Sequence, residues 1–300
     1  MTEKRRNKQA RRATHRDAQG RTHLVVERDA SGRTLRVGLA RPLFNEAWQN
    51  QVAAAAASTA DGTLAEARTV EKAAQIGRQA MAATSKIAEG ALALSPDRPP
   101  ACRAGCAHCC HQAVGVVAPE VLAIHAHLRA TRTEAELELI ERRIRATDDR
   151  TRGMTAAQRI SPDLPCPFLD EQQRCSIYEV RPLACRGTNS LDAAACERNL
   201  RDPNARAELL AGKQSVPCYL EPIRAFHAVT AGLQLGLAEL QGLRMLPLEL
   251  TAAMRILVDE PETVPQRWLA GEDPFEPARG GDVTNDPRIR QLAGTRDAGR

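Results

Sequence analysis

Apolar residues recur at three- and four-residue steps along most of this chain, the period of amphipathic helices rather than of strands. The exception lies near the start. Leu24-Val25-Val26 and Leu35-Arg36-Val37 flank Asp29-Ala30-Ser31-Gly32, which reads as a β-hairpin with a glycine-bearing turn and is expected to be the only sheet. An alanine-rich helix follows from Phe44 to Ala57, and Thr63-Leu64-Ala65-Glu66 has the capping-box spacing that opens a second. Val70, Ala73, Gly77, Met81, Thr84 and Ile87 form its inward stripe, with close backbone approach at Gly77. The prolines from Pro96 to Pro100 end it.

Further on, Pro119-Glu120 suits a first helical turn, where proline forfeits no intrahelical bond. Val121, Leu122, Ile124, His125 and Leu128 are its inward candidates. Thr133-Glu134-Ala135-Glu136 repeats the capping-box spacing, and Leu137, Ile140 and Ile144 continue the stripe. Thr147 to Pro165 is polar and irregular, and 165–187 is a proline-punctuated, loop-like segment. Ile223, Phe226, Val229, Leu233, Leu237 and Leu240 mark a strong helix within Pro217–Leu243, whose Gly232 and Gly236 suit close helix packing. Leu248–Val258 and Val264–Leu269 complete the helical part, and 271–300 reads as a disordered tail.

Composition supports this reading. Apolar residues make up 43% and aromatics only 3%, so the core is built from Ala and Leu, the strongest helix formers. The expected fold class is mainly α: a helical, bundle-like domain with a loop-borne cysteine cluster and a small N-terminal β-hairpin. The expected division is a basic tail over 1–21 and a hairpin with alanine-rich helices over 22–98. A cysteine-cluster domain over 99–218, C-terminal helices over 219–270 and a tail over 271–300 follow.

Charge alters the picture at one end only. The first 21 residues carry eight basic and two acidic side chains, a net of +6 against +5 for the whole chain, so the remainder is about neutral. This stretch lacks hydrophobic periodicity and reads as a disordered, solvated tail; a nucleic-acid contact through it is the functional alternative. No apolar run has the length of a secretion signal or a membrane span, and the expectation is a cytoplasmic protein. In that compartment nine cysteines point to metal or redox chemistry rather than to disulfides.

Four of the nine lie in Cys102-Arg-Ala-Gly-Cys106-Ala-His-Cys109-Cys110, the spacing C-x3-C-x2-C-C. As one helix they would form a single stripe, but Cys102 and Cys109 would stand about 10 Å apart along the axis. Thiolates around one zinc must lie within about 4 Å of each other. As a tight loop at Gly105, C-x2-C could chelate, while the adjacent Cys109 and Cys110 are expected to point apart. Either way the four make half a site. Cys166, Cys175, Cys185 and Cys196 are expected to complete it, giving eight thiolates for two four-thiolate ions or one polynuclear cluster. Cys218 is the leftover and could exchange roles with Cys196. His108 and His111 are alternative ligands whose plainer reading is polar loop histidine. Tyr178 and Ile177 are expected to pack beside Cys175, and Arg181 and Arg186 to offset the thiolate charge.

The ordered series C-x3-C-x2-C-C, then C-P-F-L from Cys166, C-S-I-Y-E-x-R-P from Cys175, and Cys185-Arg186, resembles the YkgJ-type cysteine-cluster proteins. The resemblance covers Cys102 to Gly187 and implies chelation of zinc or iron; it implies no substrate. Residue type does not separate zinc from an iron–sulfur cluster, since thiolates serve both. Two other classes compete. One is an iron–sulfur enzyme such as a SAM-dependent protein methylase, because flagellin lysine methylases have a comparable cysteine-rich segment. The usual radical-SAM barrel is disfavoured: it needs alternating strands and helices, and His108 stands where an aromatic usually precedes the third cysteine. The other class is a metal-stapled nucleic-acid-binding module, which predicts steeply salt-dependent binding.

Overall fold

The computed structural model describes residues 11–16, 22–28, 34–38, 46–94 and 98–279, with side chains from Glu46 onward. The protein is mainly helical. Near the start, the backbone forms an antiparallel three-stranded sheet in the order β1 (Arg11–Arg16), β2 (Thr22–Arg28), β3 (Thr34–Gly38). Val26 pairs with Ala13 on one side and with Val37 on the other. The segments expected to form a hairpin lie within β2 and β3, while its turn lies outside the described residues. So do 1–10 and 17–21 of the expected tail; 11–16 of that tail is strand.

Helix α1 (Glu46–Glu66) runs straight through Thr63, so the capping-box spacing there is not used. Thr63 and Leu64 are instead buried on the helix. The chain breaks after Glu66, and Thr69 caps α2 (Val70–Leu92) by accepting from Lys72 N–H at 3.3 Å. The expected stripe then holds. Ala73, Gly77, Met81 and Thr84 are buried, and a Cβ on Gly77 would collide with the Pro119 carbonyl.

Helices α3 (Ala118–Thr131) and α4 (Glu134–Thr151) begin at the expected signals. In the second, Thr133 and Glu136 exchange a full capping box. The stretch expected to be irregular from Thr147 is helical to Thr151 and contains α5 (Ala156–Arg159), opened by a Thr155–Gln158 capping box. That box uses Gln where Glu was sought. Past the cysteine segment, α9 (Leu220–Gln234) packs along α1 and α2, and continues as a π-helical turn over Leu235–Glu239. Gly232 and Gly236 sit directly on the backbone of Ala53 and Ala57 in α1, so any side chain there would displace the helices.

Two further corrections concern the remainder. The N-terminal strands are not the only sheet, because β4 (Gly115–Val116) pairs antiparallel with β5 (Leu248–Glu249). Two-residue strands separated by more than a hundred residues leave no periodicity to detect. The tail expected over 271–300 fails over its first part, since Phe275 and Ala278 are buried in the main core; 280–300 lie outside the described residues. After β5 come α10 (Leu250–Asp259), which packs on α3 and α4, and α11 (Thr263–Leu269). Trp268 on α11 is buried with its indole N–H satisfied by Arg244 O at 2.8 Å. Among the described residues, no helix is long and apolar enough to cross a membrane.

Candidate metal centre

The nine-residue cysteine stretch is neither a single helix nor a strand. Cys106 N–H donates to Arg103 O at 2.9 Å, closing a β-turn whose third residue, Gly105, has φ of +82°. A positive φ at that position is what a type II turn requires, and glycine adopts it without steric cost. A 3-10 turn over His108–His111 follows, entered by Cys110 N–H donating to Ala107 O at 2.9 Å. Here one expectation fails. Cys109 and Cys110 do not point apart; their thiols share a hydrogen bond. In a 3-10 turn successive side chains are rotated by about 120°, less than the half-turn of a strand, so neighbouring sulfurs can meet.

The downstream cysteines come to this turn. Cys166 N–H donates to Cys110 O at 2.8 Å, a bond that joins the two halves of the site directly. Leu169 and Cys175 then form an antiparallel bridge around a turn that Asp170 holds by accepting from Arg174 N–H at 2.7 Å. Cys185 lies on α6 (Leu183–Gly187), and Cys196 on α7 (Ala193–Arg201), whose N-cap is Asp192. Cys166, Cys175 and Cys185 are half-buried and pack against the main apolar core. Cys102 and Cys109 are exposed.

The electrostatic neighbours of each thiol are mostly other thiols. Burial first, then the Cys175 charge, pushes Cys166 up to about 12. Cys185 is pushed well up by burial and by Cys166, Cys109 and Cys175. Burial also raises Cys175, Cys102 and Cys196, with Cys109 acting on all three. The shared hydrogen bond pulls Cys109 down and pushes Cys110 up. Arg181 opposes this mutual repulsion, stabilising the thiolates of Cys102, Cys109, Cys175 and Cys185. Its guanidinium lies 4.7 Å from the Tyr178 ring centre, and its buried Nε makes no hydrogen bond. Arg186 is the second cation, held by Arg181 O, Glu179 O and Ser85 Oγ.

All eight expected ligands, Cys102, Cys106, Cys109, Cys110, Cys166, Cys175, Cys185 and Cys196, therefore converge on one region. Cys218 lies between Pro217, whose carbonyl accepts from Leu191 N–H at 2.8 Å, and Tyr219, which Asn189 clamps. It precedes Tyr219, the N-cap of α9, and is not among the chief charged neighbours of the eight. His111 is nearly buried, with Nδ1 3.1 Å from Ser161 O, and its chief charged neighbours are Arg159, His108 and Arg201 rather than thiols. Ile177 is buried as expected, but Tyr178 is 62% exposed and lies under Arg181 instead of packing beside Cys175.

Sequence patterns alone missed three residues that build the site. Glu120, 1% exposed, accepts from Val117 N–H at 2.9 Å and from Leu183 N–H at 2.7 Å, tying the start of α3 to the start of the Cys185 helix. Its place as the third residue of α3 was a capping signal, but nothing local names the second partner. Ser190 O accepts from Ala101 N–H at 2.8 Å and lies 3.9 Å from Cys102 Sγ, and Ser190 also bonds the Cys196 thiol. Arg159, 3% exposed, donates to Leu164 O and lies close enough to Glu249 and Cys166 to feel both charges.

The donor set fits a thiophilic cation. Burial and neighbouring thiols raise Cys102, Cys110, Cys166, Cys175, Cys185 and Cys196, so these thiols keep their protons in the absence of a cation, and Arg181 and Arg186 are the positive charges beside them. Among the described residues, no three His, Cys, Asp or Glu side chains stand close enough to seat an ion as they are. With four thiolates per ion, no position is left open for water or substrate.

Neither curated proteins nor solved structures give a match to this chain. A family model does. Residues 101–205, which hold all eight of these cysteines, match the model of the CxxCxxCC family, described as a putative zinc- or iron-chelating domain.

Proposed function

We propose that the protein binds zinc or iron through Cys102, Cys106, Cys109, Cys110, Cys166, Cys175, Cys185 and Cys196, and that the metal staples loops to a helical frame. The observation that carries this is the joining of the two cysteine segments at a single main-chain bond, Cys166 N–H to Cys110 O, with Cys185 and Cys175 beside it. Such an arrangement brings sulfurs from distant parts of the chain into one group, whose thiols a thiophilic cation can ionise in exchange for their protons. Complete thiolate ligation suits metal holding or handling rather than hydrolysis, which needs an open coordination position. When bound, zinc would serve as a redox-inert brace, and an iron–sulfur cluster would add one-electron chemistry. The chain's own contribution is to gather the sulfurs, to place Arg181 and Arg186 against them, and to hold Cys185 through Glu120.

The test is elemental analysis of full-length, anaerobically purified protein, together with its visible absorption. Stoichiometric metal that falls sharply in Cys185→Ser supports the reading. A brown sample with a sulfur-to-iron charge-transfer band assigns an iron–sulfur cluster; a colourless one with zinc assigns zinc. A folded, metal-free protein in which all nine thiols react freely overturns the proposal.

A further inference from the structure

The net positive charge of this chain is confined to its start, and the fold gives that charge a place. Residues 1–38 hold eleven basic and four acidic side chains, a net of +7 against +5 for the whole chain. The metal centre makes no use of this excess. Arg11, Arg12 and Arg16 lie on β1, Arg28 on β2 and Arg36 on β3 of the N-terminal sheet. β3 meets α9, so the sheet is seated on the frame at one side, and β1 is the strand at the other edge. The basic sequence Lys4-Arg5-Arg6-Asn7-Lys8 runs into β1, and chain length alone keeps Lys8 within about 11 Å of Arg11.

The register sorts these residues into two rows. Residues opposite one another in an antiparallel pair share a face of the sheet, and faces alternate along each strand. Arg12 stands opposite Glu27, which stands opposite Arg36, so one row carries its own counter-charge. Arg11 stands opposite Arg28, and Arg28 opposite Thr34. That row sets like against like, an arrangement that destabilises a sheet when nothing intervenes. An arginine on an edge strand also deters pairing with other chains. Such protection accounts for Arg11 but not for Arg28, which lies on the central strand. An anion bound across the two arginines turns their repulsion into attraction.

We propose that the N-terminal sheet binds nucleic acid, gripping backbone phosphates at the register position where Arg11 on the edge strand opposes Arg28 on the central one. The charge of Lys4 to Lys8 adds to the attraction. Residues 1–38 contain no Phe, Tyr or Trp, so base stacking plays no part. The ligand is therefore a row of phosphates, held without regard to base sequence. A duplex suits the strands, because its major groove admits a two-stranded ribbon. A lipid surface fits less well: these basic residues lie on strands, whereas segments that bind a bilayer surface are amphipathic helices with an apolar face to insert. The proposal does not depend on the metal-binding reading.

The test measures binding of the full-length chain to a short fluorescein-labelled DNA duplex and to an RNA duplex of the same sequence, by anisotropy across a range of salt. Each phosphate neutralised adds about 0.9 to the slope with which log affinity falls against log salt. Arg11→Gln with Arg28→Gln should reduce that slope by about 2, and weaken binding at low salt about ten-fold or more. Arg12→Gln with Arg36→Gln, where Glu27 already offsets the charge, should reduce it by less than about 1. Scrambling the base sequence should change neither value. Either duplex bound with this pattern supports the proposal, and the tighter of the two identifies the source of the phosphates. Equal effects of the two double variants overturn the assignment to the Arg11–Arg28 pair. No binding at low salt, or binding to phosphatidylserine vesicles in place of both duplexes, overturns the proposal outright. Circular dichroism and thermal unfolding of each variant separate a lost contact from a lost fold.

Discussion

The frame of α1, α2 and α9 and the cysteine segment from 101 to 196 solve the problem of holding a chain together in opposite ways. In the frame, long helices approach until backbone meets backbone, at Gly77 against Pro119 and at Gly232 and Gly236 against α1. Its stability comes from excluded water and dense contacts, and nothing need be added to it. Outside α3 and α4, the cysteine segment is mostly turns and helices of three to nine residues. It sends Phe168, Ile177 and Leu183 into the core but leaves Cys102 and Cys109 at the surface. Its remaining links are hydrogen bonds between loops, each of modest net value. The contrast teaches that where apolar burial runs out, the chain is held by scattered polar links between loops.

The comparison breaks most violently at Gly77. Replacing it with Val forces a branched side chain into the Pro119 carbonyl, and a loss of at least about 3 kcal/mol is expected from denaturant unfolding. A loss below 1 kcal/mol would mean that α2 and α3 separate easily and that the frame is looser than its contacts indicate. Metal withdrawal acts on the other region. Stripping the protein with a chelator should cost about 3 kcal/mol at saturating metal. Hydrogen exchange should speed up in 101–111 and 160–196 while α1, α2 and α9 keep their protection. Uniform acceleration would show instead that the two regions unfold as one unit.

Glu120 couples the regions, and its ionisation gives a finer probe. Burial pushes its carboxyl from an ordinary 4.5 up to about 7, against the pull of the Leu183 and Val117 N–H groups. Between those values the folded chain holds a proton that the unfolded chain has lost. Stability should therefore fall as pH rises from 4.5 to about 7, by about 2–3 kcal/mol, and this contribution should be flat above. Glu120→Gln should flatten that slope relative to wild type at fixed metal. An unchanged slope would place the proton elsewhere. The smallest effect is expected at Arg181, where Gln keeps the stem but removes the charge facing four thiols. Metal loss to a chelator should quicken several-fold with thermal stability nearly unchanged, and an unaltered rate would show that Arg181 acts only by covering Tyr178.

Much of the frame was legible because its signals are local. Thr133 and Glu136 cap α4, Pro119 opens α3, and the small residues at 77, 232 and 236 announced close helix approach. Local signals also misled. Thr63 had the right spacing for a cap, yet it lies buried within α1 because the alanine-rich run continues and Leu64 finds the core. Phe275 was read into a tail because a single aromatic among prolines and charges carries no period.

The sequence by itself determined which side chains are candidates. Cysteine is the donor that recurs in the motif, and the helix rise shows that Cys102 to Cys110, were they one helix, could not surround one ion. Tertiary structure decided how those sulfurs are shared. That Cys166 bonds back to Cys110, that Glu120 holds Leu183, and that Ser190 meets Cys102 depend on contacts across 56, 63 and 88 residues. Such contacts are set by where helices pack and by the closure of loops between them, and a linear pattern records neither.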